Sequence, residues 1–336
     1  MKINDLSSYK TNDKITDLKG WVDTVRHHGG LLFFDLRDPD TTIQVVTDNP
    51  DNFSDIKNEF YISITGVLTK RDPDNINKES SLGEYEITLE SLSIISSSKT
   101  LPFQINDDID ADELTRLKYR YLDLRRKDMK KNMLARSDTF KAIREYMNIC
   151  QINELDTPTL IKSTPEGAKD FIVPSRKSKG KFYALPQSPQ MYKQLFMLSG
   201  MQNYYQIAKC YRDEDSRKDR QPEFTQLDLE ILNGSPESVQ KIVEDTVKFV
   251  LKNVYEQEIT EPFPKLSYNE AINKYGTDKP DLRIETTIDN FTDIFKDTEI
   301  SFISKTLKDG GHVKGFIVDK ILTRSEIDAL DSDVKE

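Results

Sequence analysis

Residues 205–232, YQIAKCYRDEDSRKDRQPEFTQLDLEIL, constrain the fold more than any other stretch of this 336-residue chain. Two runs of strand character, YYQIAKCYR and EFTQLDLEIL, flank a densely charged break, DEDSRKDRQP. Such a pattern predicts an antiparallel hairpin with a long polar loop. Arg212 ends the first run, where a hairpin holds a guanidinium rigidly enough to grip a phosphate or carboxylate with both arms of its fork. In the second run Phe224, Gln226, Asp228 and Glu230 are spaced by two and share one strand face. Carboxylates on a buried face need cationic partners, and a ligand amino group is one such partner. Taken alone, the same residues also describe an exposed sheet edge with ion pairs.

Upstream, residues 1 to about 100 read as five or so short strands. KGWVDTVRHHGGLLFFDLRDPDTTIQVVTD alternates and breaks at Gly29-Gly30 and Asp38-Pro39, and YISITGVLTKR and GEYEITLESLSII continue the period of two. A small antiparallel barrel of the OB type fits this length, and such barrels bind single-stranded nucleic acid. A barrel with a purely structural role fits equally well at this point. Residues 100–134 lack strand alternation and read as a linker with a short helix. Within it, eight Lys or Arg fall between Arg116 and Lys131 against two acids, Asp123 and Asp128. That run is either a solvated helix or a local nucleic-acid-facing patch, which the net charge of −10 does not exclude.

Further on, Phe140, Ile143 and Met147 predict a helix from Ser137 to about Ile149. Two Thr-Pro steps in LDTPTLIKSTPEG force extended backbone. Ser238–Lys252 reads as an amphipathic helix, and a new small α+β element follows Arg283. No run of 18 apolar residues occurs, so no membrane-spanning helix is expected, and the N-terminus lacks a secretory pattern. Cys150 and Cys210 lack metal-type spacing and suit a reduced, cytoplasmic compartment. Three histidines, His27, His28 and His312, leave little material for a metal or triad site.

YRDED followed by RQPEF resembles motif 2 of class II aminoacyl-tRNA synthetases, in the form of the bacterial aspartyl enzymes. STPEGAKDFIVPSR (163–176), GKFYALPQSPQMYKQLFMLSG (180–200), KYRYLDLRR (118–126) and YGTDKPDLR (275–283) resemble the same family, so that the likeness covers most of residues 18–285. It implies a multidomain chain: an all-β OB-fold anticodon-binding barrel over 1–105, a hinge over 106–134 and the N-terminal part of an α+β class II catalytic domain with an antiparallel sheet over 135–285. Residues 286–336 would be the start of the bacterial insertion domain.

The resemblance also implies roles for residues. Arg212 is the catalytic arginine, touching the substrate carboxylate and the ATP α-phosphate; Asp213, Glu214 and Gln221 contact ATP, and Phe224 stacks on adenine. Glu166, Ser188, Gln190, Lys193 and Asp228 form the L-aspartate pocket, with Glu166 and Asp228 on the amino group. Lys193 and Arg212 would offer two positive charges to a dicarboxylic amino acid, which disfavours asparagine. The implied reaction is attack of the α-carboxylate on the ATP α-phosphorus, with Mg²⁺ assisting and pyrophosphate leaving, then transfer to tRNA(Asp). On the barrel, Phe33 would stack on an anticodon base for about 1–3 kcal/mol, Gln44 and Glu86 would read base edges, and Arg26 would touch base or backbone. His28 points to acceptance of tRNA(Asn) as well. The basic run then falls at the hinge, where contact with tRNA is expected.

Two departures stand out. Gln151 and Ile152 occupy the places of a Gly-Phe pair ahead of Thr157-Pro158 in motif 1, the motif from which a homodimer is expected. These residues also contain no Gly-rich motif 3 ending in arginine and none of the acidic Mg²⁺ ligands, so no metal site is expected within them. The stretch alone is therefore expected to lack amino-acid-dependent ATP–pyrophosphate exchange and to be poorly stable outside the barrel. A non-catalytic tRNA-binding derivative is the alternative; an asparagine-forming paralogue acting on free aspartate has no use for the barrel.

Overall fold

The computed structural model describes residues 2–39, 41–78, 80–105, 111–164, 167–215, 217, 219–318 and 320–335, the side chains of 331–335 excepted. The chain divides into two compact units, Met1–Leu134 and Ala135–Glu336.

The first unit is built on β1 (Lys14–His28), β2 (Leu31–Arg37), β3 (Thr42–Thr47), β4 (Tyr61–Lys70) and β5 (Tyr85–Ser96). They close in the order β1-β2-β3-β5-β4. All pairs are antiparallel except β3 with β5. β1 is longer than the sequence suggested because bulges after Ile15 and Val22 bend it, so that one half pairs with β4 and the other with β2. The period of two puts Leu32, Phe34, Leu36, Val45, Ile62, Ile64 and Leu68 into one core. At Gly66 a Cβ would lie 2.3 Å from the Thr88 carbonyl oxygen, so only glycine lets β4 approach β5 this closely.

Two short helices follow, α1 (Glu113–Lys118) and α2 (Arg120–Asp123). Arg120 and Arg126 both bond to Asp123, whose side chain is fully buried. Arg125 pairs with the buried Glu59, which also takes Arg37. Trp21 receives the Arg37 and Arg125 guanidiniums at 5.9 and 5.2 Å from its ring. Lys130 donates to the Pro39 carbonyl. Much of the run's charge is therefore spent inside the unit, while Lys118, Lys127 and Lys131 stay exposed.

Next comes α3 (Lys127–Ile149), which starts at Lys127 rather than Ser137. It ends in a left-handed residue, Gln151, with φ of 58°. Ile152 N–H donates to the Met147 carbonyl and Gln151 N–H to that of Asn148, the two bonds of a Schellman cap. The usual apolar contact completes it, since Ile152 and Met147 are buried in one cluster. The remaining elements are β6 (Asn153–Glu154), β7 (Ile172–Pro174), β8 (Phe182–Ala184), α4 (Gln190–Leu198), β9 (Asn203–Tyr211), β10 (Glu223–Ile231), α5 (Pro236–Tyr255), α6 (Tyr268–Tyr275), β11 (Asp289–Asn290), α7 (Ser301–Lys308), β12 (Lys314–Gly315) and α8 (Arg324–Lys335).

The main sheet runs β10-β9-β6. The hairpin read from the sequence is present, antiparallel through nine pairs, whereas the two-residue β6 joins β9 in parallel. One face of the hairpin, with Tyr205, Leu227, Leu229 and Ile231, packs on Ile143 and Met147 of α3 and Ile242 of α5. Alternation turns Phe224, Gln226, Asp228 and Glu230 to the opposite face, above Cys210, Ala208, Gln206 and Tyr204.

Candidate functional site

The polar face of β10 carries two groupings. At its start, the Arg212 guanidinium lies over the Phe224 ring at 5.0 Å. These two, with Glu214, Arg220, Gln221 and Gln226, line a cavity of about 330 Å³. Hydrogen bonds fix the base of the hairpin: Arg212 N–H donates to the Pro222 carbonyl at 2.8 Å and Asp213 N–H to that of Lys169 at 3.1 Å. Arg212 Nε reaches the Gln187 carbonyl at 3.4 Å. An adjoining cavity of about 700 Å³ lies between Gly167, Ala168 and Lys169 on one side and Asp213, Arg217 and Arg220 on the other. A flat ring under a cation, at the mouth of a cleft with further arginines, suits a purine and its phosphates.

Four residues along β10, about 14 Å at the usual strand rise, the second grouping is held by α4. Lys193 Nζ donates to Asp228 Oδ1 at 3.0 Å and to the Leu229 carbonyl at 3.3 Å. It also lies 3.3 Å from Glu230. One ammonium between two carboxylates leaves one negative charge in excess. Asp228 Oδ2 is buried and accepts no hydrogen bond among the described residues. The neighbouring Tyr204 hydroxyl donates instead to Gln206 Oε1 at 2.9 Å. Burial pushes the Asp228 carboxyl above its ordinary range, against the hydrogen bond and charge of Lys193 and the nearby Tyr204 hydroxyl, which pull it down. An orphaned acceptor with surplus negative charge suits a ligand ammonium.

The residues expected from the sequence fall into these groupings unevenly. Arg212, Glu214, Gln221 and Phe224 share the cavity, whereas Asp213 lines only the adjoining one. Lys193 and Asp228 are brought together as an ion pair at 3.0 Å. Ser188 and Gln190 sit at the start of α4, where the Gln190 N–H donates to Ser188 Oγ at 3.3 Å. Glu166 lies outside the described residues. Gln226 and Arg220 line the Arg212 cavity without having been singled out for a role. The period of two already put Gln226 on the right face; nothing local marks Arg220 apart from its loop neighbours.

On the barrel, pairing sets Arg26 opposite Phe33, His28 opposite Leu31, and Asp35, Gln44 and Glu86 in one row across β2, β3 and β5. All five expected residues therefore share the barrel's outer surface. Gln44 Nε2 donates to Glu86 at 2.8 Å, and Arg26 pairs with Asp35 at 3.0 Å. Burial raises the Asp35 carboxyl above its usual range, with Arg26 opposing. A cavity of about 530 Å³ beside this row is lined by Asp35, Gln44, Arg71, Asn77 and Ser80 among others.

A closed barrel with a polar outer groove, followed by a hairpin carrying an arginine over an aromatic ring, has the layout of a class II aminoacyl-tRNA synthetase. Family comparison agrees: residues 17–95 match the OB-fold nucleic acid binding domain, and residues 112–316 match the tRNA synthetases class II (D, K and N). The chain belongs to the latter family.

Among curated relatives, the aspartate–tRNA(Asp/Asn) ligase of Natranaerobius thermophilus is 45% identical over 95% of this chain and 56% of its own length. The aspartate–tRNA ligase of Halalkalibacterium halodurans is 44% identical over 98% of this chain and 57% of its own. The chain thus spans little more than half the length of these relatives. In fold it is similar to the asparaginyl-tRNA synthetase of Pyrococcus horikoshii complexed with asparaginyl-adenylate, with a TM-score of 0.66 at 23% identity, covering 78% of this chain and 63% of that one. No helix among the described residues is long and apolar enough to cross a membrane.

Proposed function

We propose that this chain supplies the anticodon-binding barrel and the motif 1 and motif 2 part of an aspartate–tRNA ligase. The supporting observation is the polar face of β10: Arg212 over Phe224 at one end, and at the other Asp228 with a buried unpartnered oxygen beside Lys193 and Glu230. An extended aminoacyl-adenylate fits that order, with adenine on Phe224, the phosphate at Arg212 and the ammonium at Asp228. Selection of aspartate falls to Lys193, whose ammonium can take the side-chain carboxylate while keeping Asp228. Glu166, Ser188 and Gln190 belong to the same proposed pocket, and Glu214 and Gln221 to the ATP end with Asp213.

In the proposed reaction these residues bind and orient. Arg212 draws the aspartate α-carboxylate and the α-phosphate together, and its charge meets the charge that develops there. Mg²⁺ would neutralise phosphate charge when bound. Among the described residues no three His, Cys, Asp or Glu side chains cluster as a metal site, so no residue here is assigned to it. The barrel's row of Arg26, Phe33, Gln44 and Glu86 is the proposed anticodon surface. Proposed partners are tRNA(Asp) and, from His28 and the names of the relatives, tRNA(Asn). The proposed organisation remains barrel 1–105, hinge 106–134, catalytic part 135–285 and insertion 286–336, in a homodimer.

Calorimetric titration of the chain with aspartyl-sulfamoyl-adenosine and its asparaginyl counterpart tests this reading. Binding is expected to favour the aspartyl compound at least about tenfold, or about 1.4 kcal/mol, with Lys193→Ala erasing the preference. Equal binding of both compounds, or of neither, would contradict it.

A further inference from the structure

We propose that Gln187 is a positioning residue, whose buried side-chain amide fixes residues 167–170 as one wall of the cleft beside Arg212. The proposal rests on the reading of that cleft as the adenylate site. Gln187 is only 2% exposed, yet its buried neighbours in sequence are Ala184, Pro186 and Pro189, all apolar. A residue that served the core alone would be apolar too, because an amide is costly to bury unless its groups are satisfied.

Here every group is used, and nearly all on one segment. Oε1 accepts from the Ala168 N–H at 3.1 Å, and Nε2 donates to the Ala168 carbonyl at 2.9 Å. The second Nε2 proton goes to Asp170 Oδ1 at 2.5 Å, and Asp170 Oδ2 accepts from Ser163 Oγ at 2.5 Å. The side chain thus grips residue 168 by both backbone groups, as a neighbouring strand would. Its own carbonyl faces Arg212 Nε at 3.4 Å. On either side, Leu185 N–H donates to the Phe171 carbonyl and Tyr211 N–H to that of Pro186. Gln187 therefore stands where three segments meet: 167–171, 185–187 and the hairpin base at 211–213. The segment it holds contributes Gly167, Ala168 and Lys169 to the cavity shared with Asp213 and Arg217. The Gln187 amide thus joins the Asp213–Lys169 backbone bond in setting the distance between that wall and the Arg212 cleft.

Two variants and two readouts test the proposal in the 336-residue chain. Gln187→Leu keeps the volume and removes every side-chain hydrogen bond while leaving the backbone carbonyl to Arg212. Amide exchange in a peptide covering 163–171 is expected to rise at least about tenfold, with α3 and barrel peptides unchanged. Affinity for aspartyl-sulfamoyl-adenosine is expected to fall by a similar factor. Gln187→Glu replaces the donor by a carboxylate facing Asp170, while Arg212 reaches only the backbone carbonyl of this residue. Its binding defect is expected at pH 7.5 and to ease towards pH 5, as the introduced carboxyl regains a proton to donate; a packing defect would not titrate in this way. Unchanged exchange at 163–171 in Gln187→Leu overturns the proposal, as does faster exchange with undiminished affinity. If the unsubstituted chain does not bind the analogue, the reading of the cleft fails, and the exchange result alone decides whether Gln187 holds the segment.

Discussion

The two units solve the same problem differently. The barrel closes on itself, so each strand has two neighbours and its inward side chains meet in one continuous core. In the second unit, among the described residues, β10 is an edge strand of a three-stranded sheet, and the apolar cluster on its helix-covered face is built on three buried residues, Met147, Ile152 and Tyr205. Met191, Leu195 and Leu198 of α4, with Ile172 and Phe182 of β7 and β8, remain exposed. Closure lets the barrel keep its polar groove on the outside at little structural cost. The second unit instead places charged groups on the face of an open sheet turned away from α3 and α5, where each needs a partner from α4 or from a ligand. More of the stability is expected from the first unit, with the proposed chemistry in the second.

That contrast can be broken most decisively in the two cores. Phe34 is fully buried inside the barrel, and Phe34→Ala is expected to cost about 3–5 kcal/mol. Leu227→Ala, at a half-buried site on the hairpin, should cost about 2 kcal/mol or less. Urea unfolding followed separately in each unit by amide exchange gives both numbers, and equal costs would erase the distinction. A smaller effect is expected at Glu154, which accepts a two-pronged contact from Arg144 at 3.0–3.2 Å and a bond from the Tyr205 hydroxyl at 3.1 Å. Arg144 holds this carboxyl below its ordinary range. A carboxyl lowered in the folded state adds stability that is complete above the unfolded pKa and is lost as pH falls through the folded one. Glu154→Gln should therefore cost about 1 kcal/mol at pH 7, solvent screening included, and nothing in strong acid; thermal melts at both pH values check this. Smallest is Gln151→Gly, which relieves a left-handed φ and should raise stability by about 0.5–1 kcal/mol. The same melts would show it.

Much of this was legible in the sequence where local pattern and burial coincide. Alternation in LLFFDLR and TIQVVT became two barrel strands with alternating burial, and the break at DEDSRKDRQP became the hairpin loop. What stayed hidden depends on partners remote in the chain. The charge of Arg125 is taken by Glu59, 66 positions away, which no reading of the basic run reveals. The pairing of Lys193 with Asp228 is likewise invisible, because nothing in α4 marks that it lies against β10. The first turns of α3 lack an apolar stripe, so periodicity marks the helix only from Ser137 although it begins at Lys127. Gln187 escaped notice because a glutamine among prolines has no periodic signature, and its importance lies wholly in what it touches.

The central claim is that one strand face, from Phe224 to Glu230, is a single ligand site. A crystal structure of the chain soaked with aspartyl-sulfamoyl-adenosine measures this most directly. The account predicts the adenine stacked on Phe224 beneath Arg212 and the ligand ammonium within hydrogen-bond reach of Asp228 Oδ2. An adenine bound elsewhere, or an ammonium that leaves Asp228 Oδ2 without a partner, would contradict it.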